Sequence, residues 1–87
     1  MAHHKDAIKR IKQNAGRRMR NRANRTRMRN HIKAVRAAID TGDHAVSMEA
    51  LRQAVSTIQG VASKGVIHRN QASRKIARLN AAVKALA

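Results

Sequence analysis

The sequence contains no cysteine, no proline and no aromatic residue, and it has only four acidic residues among 87. Without cysteine, neither a disulfide framework nor a thiolate metal site is possible. Without proline, no residue is barred from a helix interior, and most of the residues present are good helix formers. We therefore expect an all-α protein that relies on neither covalent nor thiolate-metal cross-links.

The charge is almost all of one sign. Twenty Lys and Arg residues stand against four Asp and Glu residues, which gives a net charge of +16. A small body with this charge repels itself strongly, so its normal environment should include a polyanion. Nucleic acid is favoured over a membrane surface, because the arginine-rich segment has no bulky apolar face to insert into a bilayer. Because the sequence has no aromatic side chains to stack on bases, contacts with nucleic acid should depend on phosphates, sugars and the shape of the folded nucleic acid.

No segment indicates a membrane or an export signal. No stretch approaches the ~20 apolar residues of a membrane-spanning helix, and the N-terminal "MAHHKDAIKR" has no apolar signal core. We expect a cytoplasmic protein with no membrane partner.

Few residues are available for catalysis or metal binding. Asp6, Asp40 and Asp43 read as helix-end or turn residues, which leaves Glu49 as the remaining carboxylate. If Met1 is removed, His3 stands third from a free amine, a spacing that can bind Cu²⁺ or Ni²⁺, but we interpret it as part of a flexible terminus. We expect no enzyme activity, no small-molecule substrate, no cofactor and no metal.

Two glycine-containing turns divide the chain into three predicted helices. Gly42 and Gly65 suit the positions just after a helix, and Asp43 and Asn70 suit the N-caps that follow. With Asp6 as the first N-cap, the helices cover about residues 7–40, 44–62 and 71–86. The predicted fold is a single-domain three-helix bundle over residues 1–87, with a long, Arg-rich N-terminal helix that projects beyond the bundle.

Apolar residues recur at helical spacing in each segment. The second helix should bury Ala45, Met48, Leu51, Val55, Ile58 and Val61. The third should bury Ile76, Leu79, Val83 and Leu86. The first offers a matching seam only in its last third, at Met28, Ile32, Val35 and Ile39.

Before Met28, in the part of the first helix that we call the projecting half, the seam turns polar and continues with Asn24, Asn21, Arg17 and Asn14. On a helical wheel, one stripe contains Arg18, Arg22, Arg25 and Arg29, whereas Arg20 and Arg27 lie on nearly the opposite side. Arginine on two sides favours a helix lodged between nucleic-acid segments. Like charges at these spacings cost ~0.2–0.5 kcal/mol per pair, and Gly16 costs ~1 kcal/mol relative to Ala. We therefore hypothesise that this half folds on binding.

A second basic cluster surrounds the start of the third helix. If Asn70 is the N-cap, exposed backbone N–H groups there can hold a phosphate close to Lys64, His68 and Arg69. Arg74 and Arg78 follow one turn apart on a face away from the apolar seam. An ordinary capped helix with solvated basic residues is the alternative.

The residues closely resemble a known family, the bacterial small-subunit ribosomal protein S-twenty. The most specific stretch is "KGVIHRNQASRKIARL" at residues 64–79, supported by "KDAIKR" near the start, the Arg- and Asn-rich middle and "IKAV" at residues 32–35. The resemblance covers essentially the whole chain. It implies a three-helix bundle that acts as a structural constituent of the bacterial small ribosomal subunit, binds 16S rRNA directly and stabilises its folded form during assembly. It also makes other small-subunit proteins candidate partners.

Carried over by position, the resemblance implies two sets of rRNA contacts. The first helix would supply Lys5, Lys9, Arg10, Lys12, Arg17, Arg18, Arg20, Arg22, Arg25, Arg29 and Lys33. The later cluster would supply Lys64, His68, Arg69, Asn70, Arg74, Lys75 and Arg78. Two residues depart from the family pattern: Asp6 stands where a Ser is usual, and Gly16 stands where a stronger helix former is expected.

A DNA-binding or nucleoid-associated basic helical protein is the alternative function. A basic-leucine-zipper dimer is excluded, because the seam from Met28 ends at Gly42, short of the several heptads that a zipper needs. We therefore expect no homo-oligomer. A monomeric DNA-compacting protein fits the charge equally well and requires an experiment to separate it from a ribosomal protein.

Overall fold

Three helices joined by short turns make up the fold. The computed structural model describes residues 2–86, and their side chains from residue 5 onward. Helix α1 spans Ala2–Thr41, α2 spans His44–Ser63 and α3 spans Arg69–Lys84. The predicted all-α fold with a long first helix is confirmed, and α1 continues through Gly16 without a break.

The core lies where α2 packs between α1 and α3, which contact each other only slightly. Met28 is the first buried residue of α1, and Val35 is fully buried further along. The core cluster consists of Met28, Val35, Leu51, Ala54, Ile58, Val61, Ala72, Leu79 and Val83. Ile32 and Ile39 pack against it, so the predicted seam of the first helix is confirmed.

The turn between α1 and α2 is fixed by its own hydrogen bonds. Gly42 adopts a φ of 77°, which favours glycine. The carboxylate of Asp43 accepts a hydrogen bond from the backbone N–H of Val46 at 3.2 Å, so Asp43 is the predicted N-cap. Ser47 is fully buried, and its hydroxyl donates to the carbonyl of Asp43 at 2.7 Å.

The turn after α2 closes in the pattern known as the Schellman motif. Gly65 has a φ of 77°. Its N–H donates to the carbonyl of Ala62 at 3.0 Å, and the N–H of Val66 donates to the carbonyl of Val61 at 3.2 Å. Gly65 therefore takes the predicted position just after the helix, and the chain leaves α2 in a fixed direction.

The start of α1 was predicted wrongly. The helix begins at Ala2 rather than near residue 7, and Asp6 lies inside it instead of acting as the N-cap. No glycine or proline interrupts residues 2–6, so the helix propagates past the predicted start. Within the second turn the Asp6 carboxylate still lies near the positive end of the helix dipole.

The N-cap of α3 was also predicted wrongly. His68 caps the helix, with its Nδ1 accepting a hydrogen bond from the N–H of Asn70 at 3.1 Å. Asn70 is thus the second helical residue rather than the cap, because the imidazole ahead of it already supplies the acceptor. At the other end α3 stops at Lys84, and Leu86 closes a final turn by donating its N–H to the carbonyl of Val83.

The buried face of α2 is rotated from the predicted one. Leu51, Ile58 and Val61 are buried as expected, but Ala45 and Met48 are exposed, whereas Ser47 and Ala54 have no exposed surface. At ~100° per residue, Ala45 and Met48 lie roughly 140° and 80° around the helix from Ile58. Residues that follow one another at spacings of three and four therefore do not all lie on the side of α2 that meets α1 and α3.

The molecule is long and thin, with extents of 65 × 21 × 13 Å. Its radius of gyration is 17.6 Å, against about 12 Å for a compact chain of this length. The excess comes from α1, whose residues 5–27 include no buried side chain. The projecting half therefore extends beyond the bundle.

Candidate nucleic-acid interface

Every predicted contact residue except Lys75, which is half-buried, has an exposed side chain. Those on α1 are Lys5, Lys9, Arg10, Lys12, Arg17, Arg18, Arg20, Arg22, Arg25, Arg29 and Lys33. Lys64 and His68 lie in the loop after α2, and Arg69, Asn70, Arg74, Lys75 and Arg78 lie on α3. These side chains are therefore available to a partner, and their arrangement decides what they can bind.

Arginine flanks the projecting half on two sides. Between the flanks, Asn21 and Asn24 are half-buried, although no apolar seam lies there. At ~100° per residue, the stripe that contains Arg18 stands roughly 100° to one side of that asparagine line, and the pair Arg20 and Arg27 stands roughly 80° to the other side. The two flanks thus face different directions.

The asparagine line is half-buried because the loop after α2 lies against it. Asn21, Asn24 and Arg17 line a groove of about 620 Å³ together with Lys64 and Val66 of that loop. In the same loop, the carbonyl oxygen of Val66 lies 3.5 Å from Nη2 of Arg25. The fold therefore brings Lys64, from the second predicted cluster, beside arginines of the first.

Arg27 was missed when residues were carried over from the resemblance. It lines the groove shared with Lys64, and it also lines a second groove of about 820 Å³ with Met19 and Arg22. The helical wheel had already placed it on the flank with Arg20. The helical wheel therefore predicts Arg27 as a further contact residue, which the resemblance does not include.

Residues of the second predicted cluster line three different grooves. Arg74, Lys75 and Arg78 line a shallow depression of about 210 Å³ on α3. Arg69 instead lines a separate groove with Gln59 of α2, while Lys64 belongs with α1. Basic residues adjacent in sequence therefore point in three directions.

The phosphate site expected at the start of α3 is altered by the observed cap. The N–H of Asn70, one of the donors that an anion would use, donates to Nδ1 of His68. Because this N–H is already paired, the start of α3 resembles an ordinary capped helix more than an open anion site.

Within the side chains that the structure describes, the arginines of the projecting half have no carboxylate partner. Within residues 5–86 the one ion pair joins Arg52 to Glu49 at 3.5 Å, and both side chains are largely exposed. The positive charge along α1 is consequently not neutralised by the described part of the chain. Charge-assisted hydrogen bonds to phosphate would supply the missing counter-charge.

Among the described residues, acidic and histidine side chains do not gather into a metal-binding group. Across the side chains described, no three of His, Cys, Asp and Glu lie close enough to hold a metal ion. The side chains of His3 and His4, which were considered for metal binding, lie outside the described residues. No described helix combines the length and the apolar character needed to cross a membrane.

A family model described as "Ribosomal protein S20" matches residues 2–84. The chain belongs to this family. Ribosomal protein S20 relatives include the "Small ribosomal subunit protein bS20" of Syntrophobacter fumaroxidans, 52% identical over 99% of this chain and 100% of the relative. The protein of that name from Magnetococcus marinus is 53% identical over 100% of this chain and 95% of its own length.

Membership of the ribosomal protein S20 family points to a structural role rather than an enzymatic one. The matched region includes the projecting half, the loop after α2 and the whole of α3. Both sides of the groove between Arg17 and Lys64 therefore lie within the part of the chain that defines the family.

Proposed function

We propose that this protein binds 16S rRNA directly in the small ribosomal subunit of the bacterial cytoplasm and stabilises the folded rRNA during assembly. The observation that carries the proposal is the distribution of positive charge along α1. Arginine lies on both flanks of the projecting half, and Lys64 adds a cation from a distant part of the chain. A helix charged on two sides can bridge two RNA segments, whereas one flat basic face would fit only the outside of a duplex.

Bridging explains how a small protein would stabilise a folded RNA. Two phosphate backbones brought close together repel each other, and a cationic helix between them replaces that repulsion with charge-assisted hydrogen bonds. Displaced counterions add a driving force that depends on salt concentration. On this proposal the predicted contacts of α1 act together, while the depression at Arg74 and Arg78 gives α3 a further contact.

Binding of the full-length protein to a 16S rRNA transcript tests the proposal, with a DNA duplex of equal nucleotide content as the competitor. We expect preferential binding to the rRNA and a log-log salt dependence several times the ~0.7–0.9 that one neutralised phosphate contributes. Equal binding to DNA would support the nucleoid-associated alternative. A slope near one would contradict a contact made along the helix.

Sequencing of the RNA and DNA recovered with the protein from cells gives an independent check. Enrichment of 16S rRNA in small-subunit fractions is expected. Recovery of bulk DNA without rRNA would overturn the proposed function.

A further inference from the structure

A strip of exposed apolar side chains runs along the projecting half. Contacts between its cations and phosphate do not explain why these positions are apolar. Ile8, Ile11, Ala15 and Met19 follow one another at helical spacing, and we call them the apolar strip. Ile8 is 44% exposed, Ile11 67% and Met19 74%. Large apolar side chains aligned on one exposed face indicate a surface that meets a partner.

The apolar strip does not serve the bundle. It lies roughly 150° around α1 from Asn21 and Asn24, the residues that meet the loop after α2. All of the buried core begins at Met28 or beyond. Within the described chain, nothing packs over the apolar strip.

Cations border the apolar strip along both edges. Lys5 and Lys12 lie on one edge and Arg18 lies on the other, while Arg22 continues the line of the apolar strip towards the bundle. Towards the bundle the apolar strip leads from Met19 into the groove of about 820 Å³, where Arg22 and Arg27 stand on either side of small, uncharged residues. The pattern is an apolar line with positive charge on either side and at its end nearest the bundle.

The positive charge around the apolar strip indicates which partner can bind there. A second copy of the chain would bring another +16 charge against the same face and be repelled. Double-stranded RNA offers a complementary surface, because its minor groove is wide and shallow, exposes ribose edges and is bordered by two phosphate backbones.

We propose that the apolar strip lies in the minor groove of a double-stranded rRNA segment, with Ile8, Ile11 and Met19 against ribose and the flanking cations on the two backbones. The inference rests on the proposed function and adds to it an apolar contact that adjoins the flank of Arg18 and points away from the groove at Lys64. The projecting half would then meet RNA on its apolar face as well as on its two arginine flanks.

The test compares two full-length variants that keep every charge. One carries Ile8→Ala, Ile11→Ala and Met19→Ala, substitutions that do not lower helix propensity. The matched control carries Val46→Ala and Met48→Ala, which truncate exposed apolar residues on α2. Binding to the 16S rRNA transcript and hydroxyl-radical footprinting of its riboses are the two measurements.

We expect the strip variant to bind about tenfold more weakly or worse, with an unchanged salt slope, since apolar contact is lost and no phosphate contact is. It should also lose protection of riboses that face each other across one minor groove. The control variant should match the original protein in both measurements. Unchanged affinity and footprint in the strip variant would overturn the inference while leaving the proposed function intact.

Two further outcomes separate the remaining explanations. If the original protein neither binds nor protects the transcript, the proposed function fails, and the inference fails with it. If the strip variant binds bare rRNA normally but enters subunits reconstituted with the other small-subunit proteins less well, the apolar strip contacts a protein and the inference is wrong.

Discussion

The guanidinium Nη2 of Arg25 lies 3.5 Å from the backbone carbonyl oxygen of Val66, a residue 41 positions further along the chain. The contact is long and exposed, so it adds little to stability. Its importance is geometric, since it marks where the loop after α2 meets the projecting half. That meeting places Lys64 beside Arg17 and half-buries the asparagines between the two arginine flanks.

Removing charge from either flank of α1 should weaken rRNA binding. The double variant Arg18→Gln, Arg22→Gln tests one flank, and Arg20→Gln, Arg27→Gln tests the other. Each lost phosphate contact should lower the salt slope by roughly 0.7–0.9, so each variant should lose up to about twice that. Filter binding over a salt series measures both the affinity and the slope.

The matched control removes two charges away from these grooves, with Arg52→Gln and Lys84→Gln. It should lower affinity only slightly. The melting temperature should stay nearly constant in all three variants, because every replaced side chain is exposed. If only one flank variant weakens binding, the helix is contacted from that side alone and bridging is contradicted.

Truncating the core of α2 should destabilise the bundle. Leu51 is 5% exposed and lies within the core cluster, so Leu51→Ala should cost about 2–5 kcal/mol of unfolding free energy. Urea denaturation followed by circular dichroism measures this. Met48→Ala, one turn earlier on the same helix, should change stability by less than ~0.5 kcal/mol because Met48 is 43% exposed. Equal effects from the two variants would contradict the observed rotation of α2.

Replacing His68 tests its role as the N-cap of α3. His68→Ala removes the acceptor for the Asn70 N–H and should cost about 0.5–2 kcal/mol. His68→Asn keeps a capping oxygen and should retain most of the stability. If Asn70→Ala proves the more destabilising change in the same urea experiment, the cap assignment is wrong.

The projecting half should exchange its amide protons faster than the bundle in the free protein. Residues 8–27 pack against little of the chain, and neighbouring arginines repel one another. Hydrogen–deuterium exchange should show low protection there and high protection in α2 and α3, with the difference narrowing once rRNA is bound. Equal protection in the free protein would contradict folding on binding.

Gly16→Ala supplies a matched variant for that exchange experiment. An added Cβ would come no closer than 3.4 Å to a heavy atom beyond its own helical turn, at the mobile Nη1 of Arg20. Alanine should therefore stabilise the local helix by about 0.5–1 kcal/mol and slow exchange around residue 16. The melting temperature of the bundle should hardly change, because Gly16 lies outside the core.

Much of the fold follows from local rules that the sequence displays directly. Glycine at residues 42 and 65 and aspartate at residue 43 act through their immediate neighbours, so the ends of α2 were predictable. The start of α3 was not, because histidine caps helices less often than asparagine and the competing cap lay only two residues away. The rotated face of α2 depends on two partner helices at once, which spacing within α2 does not encode.

In the candidate interface too, some features could be predicted from the sequence and others depend on how the helices pack. The wheel assigned arginines to two flanks because side-chain direction on a helix follows from residue number alone. That Lys64 and Arg17 line one groove could not be predicted, because it depends on the path of the loop after α2. The packing of the helices in the core fixes that path. The separation of Arg69 from Arg74 and Arg78 likewise depends on which helix each side chain leans against.

Once bound RNA holds the projecting half helical, the unbroken course of α1 into the core makes the molecule a rigid rod. A continuous helix fixes the distance between its ends, at ~1.5 Å per residue, so Lys9 and Lys33 stay roughly 36 Å apart. The helix would therefore set the distance between two nucleic-acid elements that bind at its two ends. Lengthening α1 by even one residue would also turn one end by about 100° relative to the other, so both span and orientation are set by the residue count.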